Sequence, residues 1–284
     1  MKITETCTEC LLSRVRLESS LCGADLKTTD EAISACRELL GKIRNNPLSH
    51  PQIASAIHRK AYEILGTTDP FADLKKKGNL QALQVCNKVR PDLTTFYDHA
   101  LASIIGNTFD YGVKGHTVEE DFFLFFTREF KRGLVIDDTD AISHRCSRVV
   151  YLSDNCGEMV LDKLFIKYLK AHGSHVTLAV KEKPALNDAT LEDAYELGLD
   201  RIVDTLTTNG GGAEIGICLE YIPDDLRVAL DKCTIIIAKG MANYESLSEM
   251  QNLPPVAYLL AAKCRPVAEE IGVPVGSKVA MLKK

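Results

Sequence analysis

An alternation of apolar runs and helical segments in the second half of the chain constrains the fold more than any other sequence feature. Beyond about residue 133, short runs of β-branched and aromatic residues alternate with segments whose apolar positions have helical spacing. Strands that are joined by helices pair in parallel, with the helices on the faces of the sheet. The pattern therefore predicts an α/β protein with a parallel sheet in a three-layer αβα core.

The predicted elements of this region follow one another closely along the chain. We expect strands at 149–153, 176–181, 201–204, 235–238 and 256–262. We expect helices at 159–171, 188–197, 213–221 and 266–271. Each helix that follows a strand is placed where a parallel crossover requires one.

The first half of the chain has helical rather than alternating patterns. Apolar residues recur at helical spacing over 29–43, after Ser49 up to Gly66, after Asp69, and over 93–105 and 118–132. Pro51 in a first helical turn supports the start of the second of these helices. The sequence therefore predicts an α-helical N-terminal subdomain, 1–132, and an α/β catalytic subdomain, 133–284, that share one active-site cleft.

Composition and charge exclude several classes of protein. The chain has 284 residues, of which 45% are hydrophobic and 26% are charged, as in ordinary globular proteins. A formal net charge of -5 gives no electrostatic reason to expect nucleic acid or an anionic membrane as a partner. No apolar run approaches the roughly 18 residues of a membrane span, and the first residues have no signal-peptide core. We expect a cytoplasmic protein, and the sequence does not predict its oligomeric state.

Polar residues follow several of the predicted strands. Asp154 and Asn155 come after the first, with Glu158 one turn into the next helix, and Asp188 follows the second. Lys239 ends an apolar run and precedes a glycine, which favours a lysine that points into a cleft. Because parallel strands bring their carboxyl ends to one edge, these side chains are expected to converge. An acid and an amide there suit a hard metal ion or a phosphate.

Several polar and glycine-rich segments also have alternative interpretations. Asp188 alone is also a common helix N-cap, and the glycines 210–212 are most often a flexible turn that matches neither a dinucleotide fingerprint nor a P-loop. The segment 135–140 superficially resembles the D-x-D motif of haloacid-dehalogenase phosphatases, but its register favours a turn or helix cap. The histidines lack metal-ligand spacing, and no Ser-His-Asp set is apparent.

The chain contains ten cysteines, and Cys7 and Cys10 form its C-x-x-C motif. Cys218, Cys233 and Cys264 lie in apolar surroundings and are expected to be small core residues. Cys7 and Cys10 are interpreted first as a pair of helix-face thiols. A structural zinc site completed by Cys22, Cys36 or Cys86, and a redox role, are the alternatives.

Four separated motifs resemble the DUF89 family of metal-dependent phosphatases. They are the strings at 151–158 (YLSDNCGE), 183–190 (KPALNDAT), 239–245 (KGMANYE) and 105–110 (IGNTFD). The resemblance extends to the segments 7–14, 57–59 and 69–71, and it is closest to the subfamily of archaea and some bacteria. The family's usual D-N-A-G-E is D-N-C-G-E here, which leaves the expected ligands intact.

The resemblance implies a divalent ion, Mg²⁺, Mn²⁺, Co²⁺ or Ni²⁺, as cofactor. Asp154, Asn155 and Asp188 would hold this ion and Lys239 would bind the phosphate; whether Asp154 is instead the nucleophile stays open. Further implied site residues are Glu158 as a catalytic group and, around the substrate, Asn107, Asp110, Lys183, Asn187 and Asn243.

The resemblance also implies a function. Family members act on small phosphorylated metabolites, including sugar phosphates, and are described as removing damaged or surplus ones. The alternatives are a sensor that binds metal and phosphometabolite without turnover, and a carboxylate methyltransferase, for which no glycine loop after the first strand is apparent.

Overall fold

The computed structural model describes residues 3–110 and 121–283. Within these residues the chain forms twelve α-helices and seven strands. The helices are α1 (Glu5–Leu21), α2 (Leu26–Ile43), α3 (His50–Leu65), α4 (Ala72–Val89), α5 (Phe96–Gly106), α6 (Phe122–Arg132), α7 (Thr139–Ser143), α8 (Glu158–Ala171), α9 (Leu191–Glu196), α10 (Asp224–Lys232), α11 (Gly240–Leu247) and α12 (Arg265–Ile271). The strands are β1 (Ile136–Asp137), β2 (Arg148–Leu152), β3 (His175–Val180), β4 (Thr205–Thr208), β5 (Ile235–Lys239), β6 (Val256–Ala261) and β7 (Lys278–Lys283).

The helical first half forms as the sequence predicts, because its start and stop signals are strong. At the start of α3, Ser49 and Gln52 form a capping box, and Gly66 ends the helix with a φ of 64°, a conformation that favours glycine. The predicted beginning of the helix at 118–132 lies outside the described residues, and α6 is described from Phe122. Helices α1, α2 and α3 share one apolar core, which also receives Leu186 and Ile215 from the second half.

The sheet has the strand order β1-β7-β6-β5-β2-β3-β4. All neighbouring strands are parallel except β6 and β7, which run antiparallel. Side chains on the two faces of the central strands belong to different cores: Tyr151 and Ile237 pack on one face, and Val150 and Ile236 on the other. The predicted α/β fold with a largely parallel, doubly covered sheet is confirmed.

Two predicted elements are wrong. The strand expected at 201–204 lies at Thr205–Thr208 instead, because Arg201 belongs to a short 3-10 turn. The helix expected at 213–221 is irregular backbone, and α10 begins later, after Pro223. Gly212, just before this predicted helix, and Gly216, within it, adopt left-handed φ angles of 81° and 65°, which a helix does not accommodate.

Strands β1 and β7 are additions to the predicted sheet. β1 has only two residues, and β7 pairs with β6 in the antiparallel sense that an αβα pattern does not suggest. Segment 135–140 contains β1 and the turn that follows it. Oδ1 of Asp137 accepts a hydrogen bond from the amide of Thr139, which agrees with the interpretation of this segment as a turn.

Helices α4 and α5 pack with α8 in a shared core. The subdomain boundary at residue 132 remains a prediction.

Within the described part of the chain, no helix has both the length and the apolar content of a membrane span. A cytoplasmic location remains a prediction.

Candidate active site

The candidate site lies at the carboxyl ends of the central strands. Within the sheet, β3 and β4 lie on one side of β2, whereas β5 and β6 lie on its other side. The strand order therefore reverses between β2 and β5, and such switch points in open α/β sheets form a crevice where ligands bind. Asp154 follows β2, Asp188 follows β3, and Lys263 follows β6, so that all three meet at this edge.

Backbone hydrogen bonds join the two loops that carry the acids. The amide of Ala189 donates to the carbonyl oxygen of Asp154 at 2.8 Å, and the amide of Cys156 donates to that of Asn187 at 2.8 Å. Asn155 and Asp188 pair as an isolated antiparallel bridge. The carboxylates of Asp154 and Asp188 are thus held close together by main-chain contacts and do not depend on flexible loops.

A glycine at the end of β5 makes room for Asp154. Gly240 has a φ of 72°, and a Cβ atom there would lie 1.9 Å from Oδ2 of Asp154. No other residue type could stand at this position without moving the carboxylate or the strand. Gly240 is also the first residue of α11, so this helix begins directly beside the acid.

Acidic groups crowd the site without full compensation. Burial raises the pKa of Asp154 well above its usual range, and the charges of Asp188 and Glu158 raise it further. Burial also raises the pKa of Asp188, although Lys181, with Nζ 3.3 Å from Oδ2, opposes this. The Lys181 contact is an ion pair without a well-directed hydrogen bond. The ionised carboxylates of Asp154 and Asp188 repel each other, and a bound cation would relieve that repulsion.

A cavity of about 350 Å³ opens above these acids. We call Asp110, Asp154, Asp188 and Lys263, which all line it, the cavity cluster. Nζ of Lys263 lies 2.7 Å from Oδ2 of Asp110 and donates to the carbonyl oxygen of Asn107 at 2.9 Å. Burial opposes the charge of Lys263, but Asp110 and Asp154 outweigh it and raise its pKa, so that this lysine is a cation.

Helices supply another part of the cavity lining. One face of α1 contributes Cys7, Cys10 and Arg14, at the helical spacing of three and four residues. His50 from the start of α3 and Glu245 from α11 complete this wall. The cavity therefore combines an acidic floor with a wall that carries a guanidinium, an imidazole, a carboxylate and thiols.

A second polar group lies beneath the floor and is sealed from the cavity. We call Ser103, Asn107, Glu158, Asp162 and Lys239 the buried network; all five are fully buried. Nζ of Lys239 donates to Glu158 at 2.6 Å, to Asp162 at 2.8 Å and to Oγ of Ser103 at 2.6 Å. Burial opposes the charge of Lys239, but the two carboxylates outweigh it and raise its pKa.

Asn107 links the buried network to the cavity cluster. Its Nδ2 donates to Oδ2 of Asp154 and to Oε2 of Glu158, both at 2.8 Å. Its Oδ1 accepts from the amide of Ala261 at 3.1 Å, which fixes the side chain to β6. Asn155 Nδ2 also donates to Asp154 Oδ2, at 2.7 Å, which leaves the amide oxygen of Asn155 as its remaining acceptor.

The structure gathers some of the predicted site residues at the cavity and places others elsewhere. Asp110, Asp154, Asn155, Asn187 and Asp188 line the cavity. Glu158, Asn107 and Lys239 lie in the buried network below it. The expectation that Lys239 points into the cleft is not met, because its Nζ is enclosed by Ser103, Glu158 and Asp162.

Two more predicted substrate residues lie away from the cavity. Lys183 is exposed on the loop after β3 and is not among the residues that line the cavity. Asn243 is buried, and its Nδ2 donates to the carbonyl oxygens of Ser153, at 3.0 Å, and Lys239, at 2.7 Å. Asn243 therefore joins the ends of β2 and β5, which is a structural role.

Sequence reasoning did not select Lys263, Arg14, His50 or Glu245 as site residues. Lys263 follows the apolar run 256–262 directly, so the strand-end rule that selected Asp154 would also have found it. Arg14 and Glu245 stand within the quoted motifs, but without a structure nothing distinguishes them from surface charges. His50 has no sequence signal, since it simply opens a helix.

The cysteines are all free. Cys7 and Cys10 lie on one helix, as the interpretation as helix-face thiols predicts, and both line the cavity. Cys218 is buried as expected, and Cys233 is partly buried. Cys264 also lines the cavity, and burial raises the pKa of its thiol to about 11, so it is a neutral group.

The oxygen donors at the floor of the cavity are of the kind that bind a hard metal ion. Across residues 3–110 and 121–283, no three His, Cys, Asp or Glu side chains are arranged to hold one. The predicted set contains two carboxylates and an amide, Asp154, Asp188 and Asn155. Oδ1 of the neighbouring Asn187 is buried without a hydrogen-bond partner among the described residues. Desolvated oxygen donors of this kind fit a hard divalent cation.

Comparisons with known proteins cover nearly the whole chain. A family model described as the damage-control phosphatase ARMT1-like domain matches residues 3–279. A damage-control phosphatase of Archaeoglobus fulgidus is 43% identical over 286 residues, which cover 99% of each chain. Damage-control phosphatase PH1575 of Pyrococcus horikoshii is 31% identical over 291 residues, 100% of this chain and 99% of the relative. A crystal structure of a DUF89 family protein (PH1575) from Pyrococcus horikoshii superposes with a TM-score of 0.90 at 30% identity and covers 100% of both chains.

Proposed function

We propose that this chain, which belongs to the damage-control phosphatase ARMT1-like family, is a divalent-metal-dependent phosphatase of small phosphorylated metabolites. The observation that carries the metal dependence is the cavity cluster, in which buried carboxylates with raised pKa values face a cavity beside a buried lysine. Oxygen donors and a cation at one edge match the needs of a phosphate ester and a divalent ion.

Asp154, Asp188 and the amide oxygen of Asn155 would hold the ion. When bound, Mg²⁺, Mn²⁺, Co²⁺ or Ni²⁺ would supply Lewis acidity toward the phosphoryl oxygens and lower the pKa of a coordinated water. Asn107 fixes the Asp154 carboxylate through a hydrogen bond of 2.8 Å, as outer partners of metal ligands do.

Lys263 replaces Lys239 as the proposed phosphate-binding cation. Its Nζ lines the cavity beside Asp110 and would meet the phosphoryl oxygens, offsetting the negative charge that they carry in the transition state. Lys239 instead compensates Glu158 and Asp162, which keeps Glu158 in position for its contacts with Asn107 and Asn155.

The cavity volume of about 350 Å³ suits a metabolite of modest size. Its wall offers both charged groups and apolar side chains such as Leu11 and Ile215. A sugar phosphate or a related phosphomonoester is the proposed substrate class.

The test is phosphate release from a panel of phosphate esters after chelation and readdition of each metal. We expect no turnover with chelator and restored turnover with at least one metal. Asp154→Asn should lower kcat/KM by roughly 10³-fold because it removes an anionic ligand at the reacting group. Asp204→Asn, at an acid that pairs with Lys170 on the protein surface, is the matched control and should retain activity.

Turnover that is indifferent to chelation, or an Asp154→Asn protein with wild-type rates, would contradict the proposal. Binding of metal and phosphate without any product would favour the sensor. Transfer of label from S-adenosylmethionine to a carboxylate would favour the methyltransferase.

A further inference from the structure

Three thiols lie together in the part of the cavity lining that helices supply. Cys7 and Cys10 of α1 line the cavity, and so does Cys264, the residue that precedes α12. Burial raises the pKa of Cys264 to about 11, and the charges of ionised Cys7 and Cys10 act in the same direction. The three sulfur atoms are therefore neighbours, and the proposed phosphatase reaction uses none of them.

Cys10 has the surroundings of a reactive thiol. It is half-buried at the cavity, which leaves it open to a small molecule. Arg14 stands about one helical turn further along α1 and lines the same cavity. Burial opposes the charge of Arg14, but an ionised Cys10 leads the groups that outweigh it and raise the pKa of Arg14, so the sulfur lies near the guanidinium. Reactive cysteines occupy partly exposed, electropositive positions of this kind.

Three other cysteines lack one or both of these properties. Cys36 and Cys146 are enclosed in apolar cores, and burial raises the pKa of each thiol to about 12. Cys22, directly after α1, is exposed, but partial burial and the charge of Glu18 raise the pKa of its thiol. Exposure alone therefore does not distinguish Cys10 from Cys22, whereas the cationic neighbour of Cys10 does.

Cys7 is placed to form a disulfide with Cys10. Three helical positions separate the two residues, which puts their Cα atoms about 5 Å apart, within the range that disulfides span. Cys7 is buried, and its Sγ accepts a hydrogen bond from the hydroxyl of Thr4 at 3.2 Å. Because Cys7 is less open to an incoming molecule than Cys10, the first reaction is expected at Cys10 and the second at Cys7.

We propose that Cys10 is a site of reversible modification by a small disulfide such as oxidised glutathione, and that Cys7 resolves the adduct. The thiolate of Cys10 attacks one sulfur of the small disulfide, the S–S bond breaks, and the second sulfur leaves with the electron pair. The thiolate of Cys7 then attacks Sγ of Cys10 and expels the other half in the same way. Two cysteine thiols are oxidised to one disulfide, the small disulfide is reduced to two thiols, and two protons pass between them through solvent.

The adduct on Cys10 occupies the cavity. A glutathionyl group has the size of the ligands that fill pockets of about 300–1,000 Å³. This cavity has about 350 Å³, so the adduct excludes a substrate until it is resolved or reduced. The exclusion of substrate rests on the proposed phosphatase function, whereas the thiol chemistry does not.

The test exposes the protein to oxidised glutathione, blocks the remaining thiols by alkylation and locates each modified cysteine by mass spectrometry. Wild-type protein should acquire a disulfide between Cys7 and Cys10, whereas Cys7→Ser should accumulate one glutathionyl group on Cys10. Cys10→Ser should leave Cys7 unmodified. Cys10 should react at least about 10-fold faster than Cys22. Cys22→Ser, at the end of the same helix, is the matched control and should react as wild type does.

The effect on turnover is measured with the trapped adduct. Cys7→Ser protein that carries glutathione should lose its release of phosphate from p-nitrophenyl phosphate in the presence of the activating metal. A reductant that removes the adduct should restore the rate of the same protein before modification. Full activity of the adducted protein would overturn the exclusion of substrate.

Several outcomes would overturn the thiol chemistry. They are modification of Cys7 in Cys10→Ser at the wild-type rate, reaction of Cys22 as fast as Cys10, and a Cys7→Ser protein without an adduct on Cys10. Should Cys10→Ser not fold, Cys7→Ser decides, because a trapped adduct on Cys10 supports the proposal and its absence overturns it. If unmodified protein hydrolyses no ester with any metal, the phosphatase function fails, and mass spectrometry still decides the thiol chemistry.

Discussion

The cavity cluster and the buried network both combine lysine with carboxylates, but they differ in how their charges are satisfied. In the buried network, Lys239 donates to Glu158, Asp162 and Ser103, and nothing is open to the cavity. In the cavity cluster, Asp154 and Asp188 are crowded and carry raised pKa values, while Lys263 faces the cavity. The satisfied charges of the buried network indicate a structural role, whereas the crowded carboxylates of the cavity cluster indicate a ligand-binding role.

The largest effects are expected when each lysine is removed in turn. Lys239→Met should lower the free energy of unfolding by about 3–5 kcal/mol, because it leaves Glu158 and Asp162 buried without a cation. Lys263→Met should cost only about 1–2 kcal/mol, since water in the cavity can reach Asp110, but should lower kcat/KM by about 10²-fold. Urea unfolding and steady-state kinetics measure both. A Lys239→Met protein as stable as wild type would contradict the structural role of Lys239. A fully active Lys263→Met protein would contradict the proposed role of Lys263 in binding phosphate.

Gly240 lies beside Asp154, the carboxylate through which the two groups meet. Gly240→Ala should displace the Asp154 carboxylate and lower kcat/KM by about 10²-fold, because its Cβ would lie 1.9 Å from Oδ2. Gly198→Ala is the matched control: its φ is 65°, yet a Cβ there meets nothing within 4 Å. Each variant should lose about 1–2 kcal/mol of stability from backbone strain, and Gly240→Ala should lose more than Gly198→Ala, because displacing Asp154 also disturbs its hydrogen bonds with Asn107 and Asn155. Equal activity in the two would show that Asp154 need not be held in place.

The most gradual effect concerns the dependence of stability on pH. A carboxyl group whose pKa is raised by folding binds protons more tightly in the folded state. Its stabilising effect is present below the unfolded pKa, near 4, and is lost as pH rises through the folded pKa. Asp154 and Asp188 both have raised pKa values, so metal-free protein should lose stability across that window.

The slope should be about 1.4 kcal/mol per pH unit for each group that titrates. Urea unfolding of wild-type and Asp154→Asn protein at several pH values isolates the contribution of Asp154 as their difference. Mn²⁺ should flatten the wild-type curve, because a bound cation favours the charged carboxylates. A wild-type curve parallel to that of Asp154→Asn would contradict the electrostatic account of the cavity cluster.

The alternation of strands and helices was sufficient to predict the core of the fold. Strands β2, β3, β5 and β6 lie where their long apolar runs place them, because each is buried on both faces. β1 and β7 were missed for a physical reason. β1 is two residues long, and β7 is defined by pairing with β6, a contact that local sequence does not encode.

The sequence predicted which residues lie near the site, but not the direction in which each side chain points. Asp154 and Asp188 were found because strand ends gather at one edge. Lys239 was placed in the cleft because its sequence position satisfies the same rule. Its side chain, however, points to the face of the sheet occupied by Ile235 and Ile237, since strand residues alternate with a period of two. That face meets α5 and α8, where Ser103 and Glu158 receive the ammonium group.

The strand order also has a consequence for how the protein opens. Among the strands of residues 3–110 and 121–283, β1 neighbours β7 alone, and the main chain of β7 accepts hydrogen bonds from the amides of Val135 and Asp138. When β7 separates from β6, β1 is also separated from the rest of the sheet, because it is joined to it through β7. We therefore expect β1 and β7 to form one cooperative unit in hydrogen exchange. We expect the amides of β2 and β5, in the middle of the sheet, to be protected from such openings and to exchange only in global unfolding.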